Sequence, residues 1–209
     1  MSAGCRIKIC GVRDAATALS CARAGADFVG VVFASSSPRA VDEAVARSIV
    51  AALEQDAPGC TPVALFVDQP RHPALGWWPG IVQLHGGERL DEVRSLTDRG
   101  VRTWKAIPWD EERVRLWSGA TEPEAIVVDG PKAGSGTSFD HEALALMRGL
   151  IAPHLVLAGG LTPATVGGAI RTVRPWCVDV SSGVERERGV KDIHLIEAFI
   201  AATRQAARP

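Results

Sequence analysis

Short apolar runs alternate with longer, helix-patterned segments along all 209 residues of the chain. Strand-sized runs fall at 6–10, 28–33, 63–67, 81–84, 102–107, 125–129, 155–158 and 177–180. Between them, segments 13–24, 42–53, 91–99, 142–149, 165–172 and 193–205 carry helical spacing of apolar residues. Joining one strand to the next through a helix makes the two strands parallel. Eight such units in 209 residues are lean but sufficient for one closed barrel. The rival is an open, doubly wound sheet. That topology calls for a GxGxxG turn after the first strand, where this chain reads Cys10-Gly11-Val12-Arg13. The glycine pairs come late instead, after the seventh and eighth strands. The expectation is therefore an α/β chain forming a single-domain (β/α)8 TIM barrel over 1–209. Pro70, Pro73 and Pro79 crowd the connection after the third strand, which predicts a stunted third helix. Residues 110–117 are expected to hold a short helix.

Composition narrows the function. Net charge is −1 with no long basic run, which leaves nucleic acid without an electrostatic footprint. The five cysteines, Cys5, Cys10, Cys21, Cys60 and Cys177, form no CxxC pair, so neither a zinc ribbon nor a disulfide framework is indicated. His72, His141, His154 and His194 show no metal-ligand spacing. No signal-like apolar stretch and no run of about eighteen apolar residues occurs, so the expectation is a cytoplasmic protein with no membrane partner. Monomer and homodimer both stay open.

In a (β/α)8 barrel the chemistry sits where strands end. The first strand ends in Cys10-Gly11, and the second runs toward Ser37-Pro38-Arg39. The fourth ends in Gln83-Leu84-His85-Gly86, the sixth in Asp129-Gly130, the seventh in Gly159-Gly160 and the eighth in Asp179-Val180-Ser181-Ser182-Gly183. Strand alternation places Lys8 on the inward face with Cys10, Val127 with Asp129, and Cys177 and Ser181 with Asp179. The first and eighth strands are neighbours once the barrel closes, so Lys8 is expected to reach Asp179; a lysine inside a barrel needs such a partner. Gly159, Gly160, Ser182 and Gly183 offer backbone N–H groups to an anion, and a barrel phosphate site is commonly built from these two loops. A third glycine-rich stretch, 134–137, follows the sixth strand. His85 is placed either to orient a ligand or to hold a neighbouring loop. Trp77-Trp78 reads as a core plug or an exposed association patch.

KICG at 8–11, GADFVGVVF at 25–33, SPR at 37–39, QLHG at 83–86, GSGTSFD at 134–140, LAGGLTP at 157–163, DVSSGVE at 179–185 and GVKD at 189–192 occur in that order. Together they resemble the phosphoribosylanthranilate isomerase family over essentially the whole chain. The resemblance implies a small-molecule sugar-phosphate substrate and an Amadori rearrangement of an aminoaldose to an aminoketose, a step of tryptophan biosynthesis. It implies Asp129 as the general acid at the furanose oxygen and Cys10 as the general base at the sugar's second carbon. It matches Arg39 to an arginine that engages the anthranilate carboxylate, Asp179 to an aspartate near the reacting amine, and the late loops to the phosphate site. The substrate carries its own latent aldehyde, so no metal or other cofactor is expected. Departures from the family pattern fall at His141, Thr165 and Arg188, which bear on loop shape rather than on Cys10, Asp129 or Arg39.

A free thiol, with a pKa of about 8.5, is only a few per cent ionised at neutral pH, so Cys10 needs positive charge beside it, and Lys8 is the candidate. Asp129 needs burial to keep its proton. Three rivals stand beside this reading. One is a Schiff-base aldolase using Lys105; another is a barrel that binds a phosphorylated ligand without turnover. The third is an isomerase recruited to a related aryl-amine sugar phosphate.

Overall fold

The computed structural model describes residues 4–69, 71–130 and 138–207, so the glycine-rich stretch 134–137 lies outside the described residues. Eight parallel strands close a barrel in chain order: β1 (Arg6–Cys10), β2 (Phe28–Val32), β3 (Thr61–Phe66), β4 (Ile81–Leu84), β5 (Thr103–Pro108), β6 (Ala125–Asp129), β7 (His154–Leu157) and β8 (Cys177–Val180). The seam joins β1 to β8, with Lys8 opposite Asp179. Around the barrel lie α1 (Ala15–Ala24), α2 (Glu43–Asp56), α3 (Leu90–Thr97), α4 (Glu111–Ser118), α5 (His141–Met147), α6 (Val166–Val173) and α7 (Ile193–Ala206). The expected (β/α)8 class is the observed one. Asp14, Asp42, Asp110, Asp140 and Asp192 each accept first-turn N–H groups and so begin five of these helices.

Among the described residues between β3 and β4 the chain makes only a 3-10 turn, Pro73–Gly76, in keeping with its proline content. β3 begins at Thr61 rather than 63 and takes in Pro62, which a strand tolerates near its first residue. A short hairpin follows β8 that the apolar pattern does not foretell: β9 (Glu185–Glu187) pairs antiparallel with β10 (Val190–Lys191). Among the described residues no helix is long and apolar enough to cross a membrane.

Strand alternation sorts the side chains into two layers. Ile7, Ile9, Val29, Val31, Phe66, Leu84, Val128 and Leu157 face outward into one continuous core under the helices. Phe28, Val63, Ile81, Trp104, Val127, Val156 and Cys177 fill the barrel floor, with Phe28 and Trp104 edge to face at 4.9 Å. Above them sit Cys10, Val32, Ala34 and Leu65. The floor is thus apolar, and the inward polar groups collect toward the strand C-termini. Trp78 is a core plug: it packs edge-on to Phe33 and donates its indole N–H to the Ile81 carbonyl at 3.1 Å. Trp77 is half-buried beneath the Arg47 guanidinium, 3.9 Å from the ring centre.

Candidate active site

At the C-terminal mouth of the barrel lies a cavity of about 360 Å³. Cys10, Arg39, His85, Asp129, Gly159, Gly160, Asp179 and Ser182 all line it. They come from six different strand ends or the loops that follow them, so closure of the sheet is what brings them together. Gly183 is the exception among the expected residues. A Cβ there would run into the Leu161 carbonyl, so Gly183 packs the loop after β8 against the loop after β7 instead of lining the cavity. Its role in an anion site is therefore indirect.

The wall between β1 and β8 carries a buried ion pair. Lys8 Nζ donates to Asp179 Oδ2 at 2.7 Å, with the two side chains 0% and 7% exposed. Burial alone would push the Lys8 ammonium down, but the Asp179 carboxylate outweighs it and holds the lysine firmly charged. The expected effect on Cys10 needs correction. Burial pushes the thiol up; Lys8 pulls it back, Asp179 resists that pull, Lys191 assists it, and the net result is a rise. Burial outweighs the pull of Lys8, so Lys8 does not by itself ionise the thiol.

Gly30, at the centre of β2, makes the room that Cys10 occupies. A Cβ on Gly30 would lie 2.8 Å from Cys10 Sγ and 2.9 Å from its Cα, closer than van der Waals contact allows. Ser181 donates its hydroxyl to the Cys10 carbonyl at 3.0 Å and steadies the same strand end from the other side.

Across the mouth, Asp129 is 9% exposed. Its Oδ1 accepts the Gly130 N–H at 2.7 Å, and its Oδ2 lies 3.4 Å from His85 Nε2. Gln83 Nε2 stands 3.2 Å from His85 Nδ1. His85 thus lies between the β4 and β6 strand ends, facing Asp129 without a hydrogen bond to it. Gln83 Oε1, His85 Nε2 and Asp179 Oδ1 are buried without a hydrogen-bond partner among the described residues. Buried polar atoms are ordinarily satisfied, and three exceptions on side chains around one cavity suit a polar ligand.

Arg39 differs from the simplest sequence expectation. Its Nε and Nη2 already grip Glu185, at 2.7 and 2.9 Å, so this edge of the fork is taken by the protein's own carboxylate. Glu185 also accepts Lys191 Nζ at 2.8 Å and the Gly189 N–H at 3.1 Å. Burial would raise this carboxyl, but these donors hold it down at about 2. Glu185, Lys191 and the cavity-lining Arg188 all belong to the β9–β10 hairpin, and sequence reasoning assigned them no role. The only signal for the first two lay in the DVSSGVE and GVKD stretches.

Lys105 points away from the mouth. It lies in the outer layer, where Nζ donates to Glu88 Oε2 and the Gly86 carbonyl, both at 2.7 Å. That position removes the structural basis for a Schiff-base aldolase. Among the described residues, no three His, Cys, Asp or Glu side chains gather to hold a metal ion.

An eight-stranded parallel barrel with its polar groups gathered at the strand C-termini is the architecture of the (β/α)8 enzymes. Residues 7–202 match the family model described as N-(5'phosphoribosyl)anthranilate (PRA) isomerase. A relative from Desulforamulus reducens, named N-(5'-phosphoribosyl)anthranilate isomerase, is 42% identical, covering 97% of this chain and 96% of its own. The phosphoribosyl anthranilate isomerase of Thermotoga maritima superposes with a TM-score of 0.87 at 33% identity, covering 96% of this chain and 99% of its own. A phosphoribosyl anthranilate isomerase in complex with reduced 1-(o-carboxyphenylamino)-1-deoxyribulose 5-phosphate superposes at 0.84 with 32% identity, over 96% and 99% of the two chains. The chain belongs to the N-(5'-phosphoribosyl)anthranilate isomerase family.

Proposed function

We propose that this protein isomerises N-(5'-phosphoribosyl)anthranilate to 1-(o-carboxyphenylamino)-1-deoxyribulose 5-phosphate, an aldose–ketose rearrangement that needs no cofactor. The observation that carries it is the convergence of Cys10 and Asp129 on one cavity in a member of this family. Asp129 delivers a proton to the furanose oxygen as the bond from that oxygen to the anomeric carbon breaks. The amine lone pair forms the C=N bond of the open Schiff base. Cys10, as thiolate, removes the proton from the sugar's second carbon, and those electrons make the enolamine, neutralising the nitrogen. A proton returned to the first carbon and one lost from the second carbon's hydroxyl leave the ketose. Atoms and electrons balance within the substrate, so no external oxidant or electrophile enters.

Asp179, with one oxygen on Lys8 and the other unpartnered among the described residues, faces the amine as its charge changes. Arg39 meets the ring carboxylate through the edge Glu185 leaves free. The phosphate sits on the loops after β7 and β8, where Gly159 and Gly160 have φ of 82° and 65° and Ser182 lines the cavity. We place this activity in the cytoplasm, on a single (β/α)8 unit spanning 1–209.

Purified protein incubated with the substrate should yield the ketose, resolved by chromatography, and the gene should complement a tryptophan auxotroph lacking the isomerase. Cys10→Ala and Asp129→Asn should each lose about 10²–10⁴-fold in kcat. Full turnover by either variant removes that residue from the mechanism; no turnover by wild-type protein removes the reaction.

A further inference from the structure

We propose that Glu185 is a positioning residue that makes the mouth selective for a carboxylated aromatic ligand, acting through Arg39. The proposal rests on the reading of Arg39 given above.

A guanidinium offers five N–H groups along two usable edges. Glu185 takes the side edge, Nε and one Nη2 hydrogen, in bidentate geometry. The end edge, with Nη1 and the second Nη2 hydrogen, is left over, and Arg39 makes no other side-chain hydrogen bond among the described residues. A second carboxylate therefore still finds a complete fork on the same arginine. Arg39 is a long side chain on an irregular loop, yet it is 9% exposed and Glu185 4%, so its plane is set before any ligand arrives. Pre-setting it removes an ordering cost from binding.

Two carboxylates on one guanidinium would leave a net negative charge. Lys191 prevents this. Its ammonium is 3% exposed, sits 2.8 Å from Glu185 Oε1, and is fixed by the Ser181 carbonyl at 2.9 Å. Arg39, Glu185 and Lys191 together carry one positive charge, so an incoming carboxylate meets an uncompensated cation. The contacts continue through Ser181 to the Cys10 carbonyl, joining the carboxylate end of the cavity to the base end. A hairpin kept only for stability would not require its buried carboxylate to orient an arginine that lines the cavity.

The test uses two ligands: reduced 1-(o-carboxyphenylamino)-1-deoxyribulose 5-phosphate, and the same compound without the ring carboxylate. Glu185→Gln keeps the shape but offers a single acceptor oxygen, so Arg39 loses one of its two bonds whichever way the amide turns: Nη2 along with the Gly189 N–H, or Nε along with Lys191. Affinity for the carboxylated ligand should fall roughly 10- to 100-fold, the scale of a charged hydrogen bond. Affinity for the other ligand should change by less than about threefold, and KM should move more than kcat. If Glu185→Gln does not fold by circular dichroism, Glu185→Asp, which keeps the charge on a shorter stem, should show the same ligand-selective loss at smaller size. Equal losses for both ligands, or no loss, overturn the clamp. Wild-type protein that binds both ligands alike overturns the Arg39 reading and the clamp with it. Wild-type discrimination that survives the substitution overturns the clamp alone.

Discussion

Lys8→Met removes the cation from the buried pair at the β1–β8 seam and leaves the Asp179 carboxylate behind. The pair is 2.7 Å long, with side chains 0% and 7% exposed, and Asp179 Oδ1 has no partner among the described residues. Breaking a buried pair by deleting one member costs about 3–5 kcal/mol, because the survivor's charge is uncompensated. For a domain of this size each kcal/mol shifts Tm by about 2–4 °C, so a drop of roughly 6–20 °C is expected in a thermal melt followed by circular dichroism. The double variant Lys8→Met/Asp179→Leu removes both charges and should recover most of the loss, since a well-packed apolar replacement is often neutral. It should not recover activity, because Asp179 is then missing from the cavity. A single-variant loss below about 1 kcal/mol would show that water reaches the seam and that the pair is not truly buried. A double variant no more stable than the single would show that packing of the lysine stem, rather than charge, holds the seam.

Gly30→Ala should cost about 1–3 kcal/mol by overpacking against Cys10 and should also lower kcat by moving the thiol; unchanged kcat would mean Cys10 has another place to sit. The rate should rise with pH in the alkaline range, because burial holds the Cys10 thiol above its ordinary value, so the thiolate grows as pH increases; kcat/KM falling above pH about 7 would argue against a thiolate base. Inorganic phosphate should bind between the loops after β7 and β8, mainly on backbone N–H groups, and Arg188→Ala should weaken it by less than about threefold; an anion seated chiefly on Arg188 or Arg39 would refute that site. Gly160 is a poor place to test it by substitution, since φ of 65° strains any L side chain whatever the ligand does.

Much of the barrel was legible in the sequence because strand and helix periodicities are local. Eight apolar runs separated by helical spacing imply parallel strands, and the two-residue strand repeat sorts inward from outward side chains without any long-range information. With closure added, the neighbours of β1 are known, which is why Lys8 meeting Asp179 was foreseeable across 171 residues. The proline-rich connection after β3 likewise announced a stunted helix, which the structure holds as the 3-10 turn Pro73–Gly76. Other features depended on through-space geometry. Glu185-Arg186-Glu187 carries no apolar alternation, so the hairpin it begins left no pattern to read, and its grip on Arg39 spans 146 residues outside any regular strand pairing. Gly30 looks like any glycine in an apolar strand until the β1–β2 register sets it against Cys10. The thiol's ionisation was misjudged for the same reason. Sequence parity puts Lys8 beside Cys10, but only the closed barrel shows that burial outweighs its pull on the thiol, with Asp179 opposing it as well. Periodicity determines which side of a strand a residue occupies; the balance of charge and desolvation depends on every group that the tertiary fold packs around it.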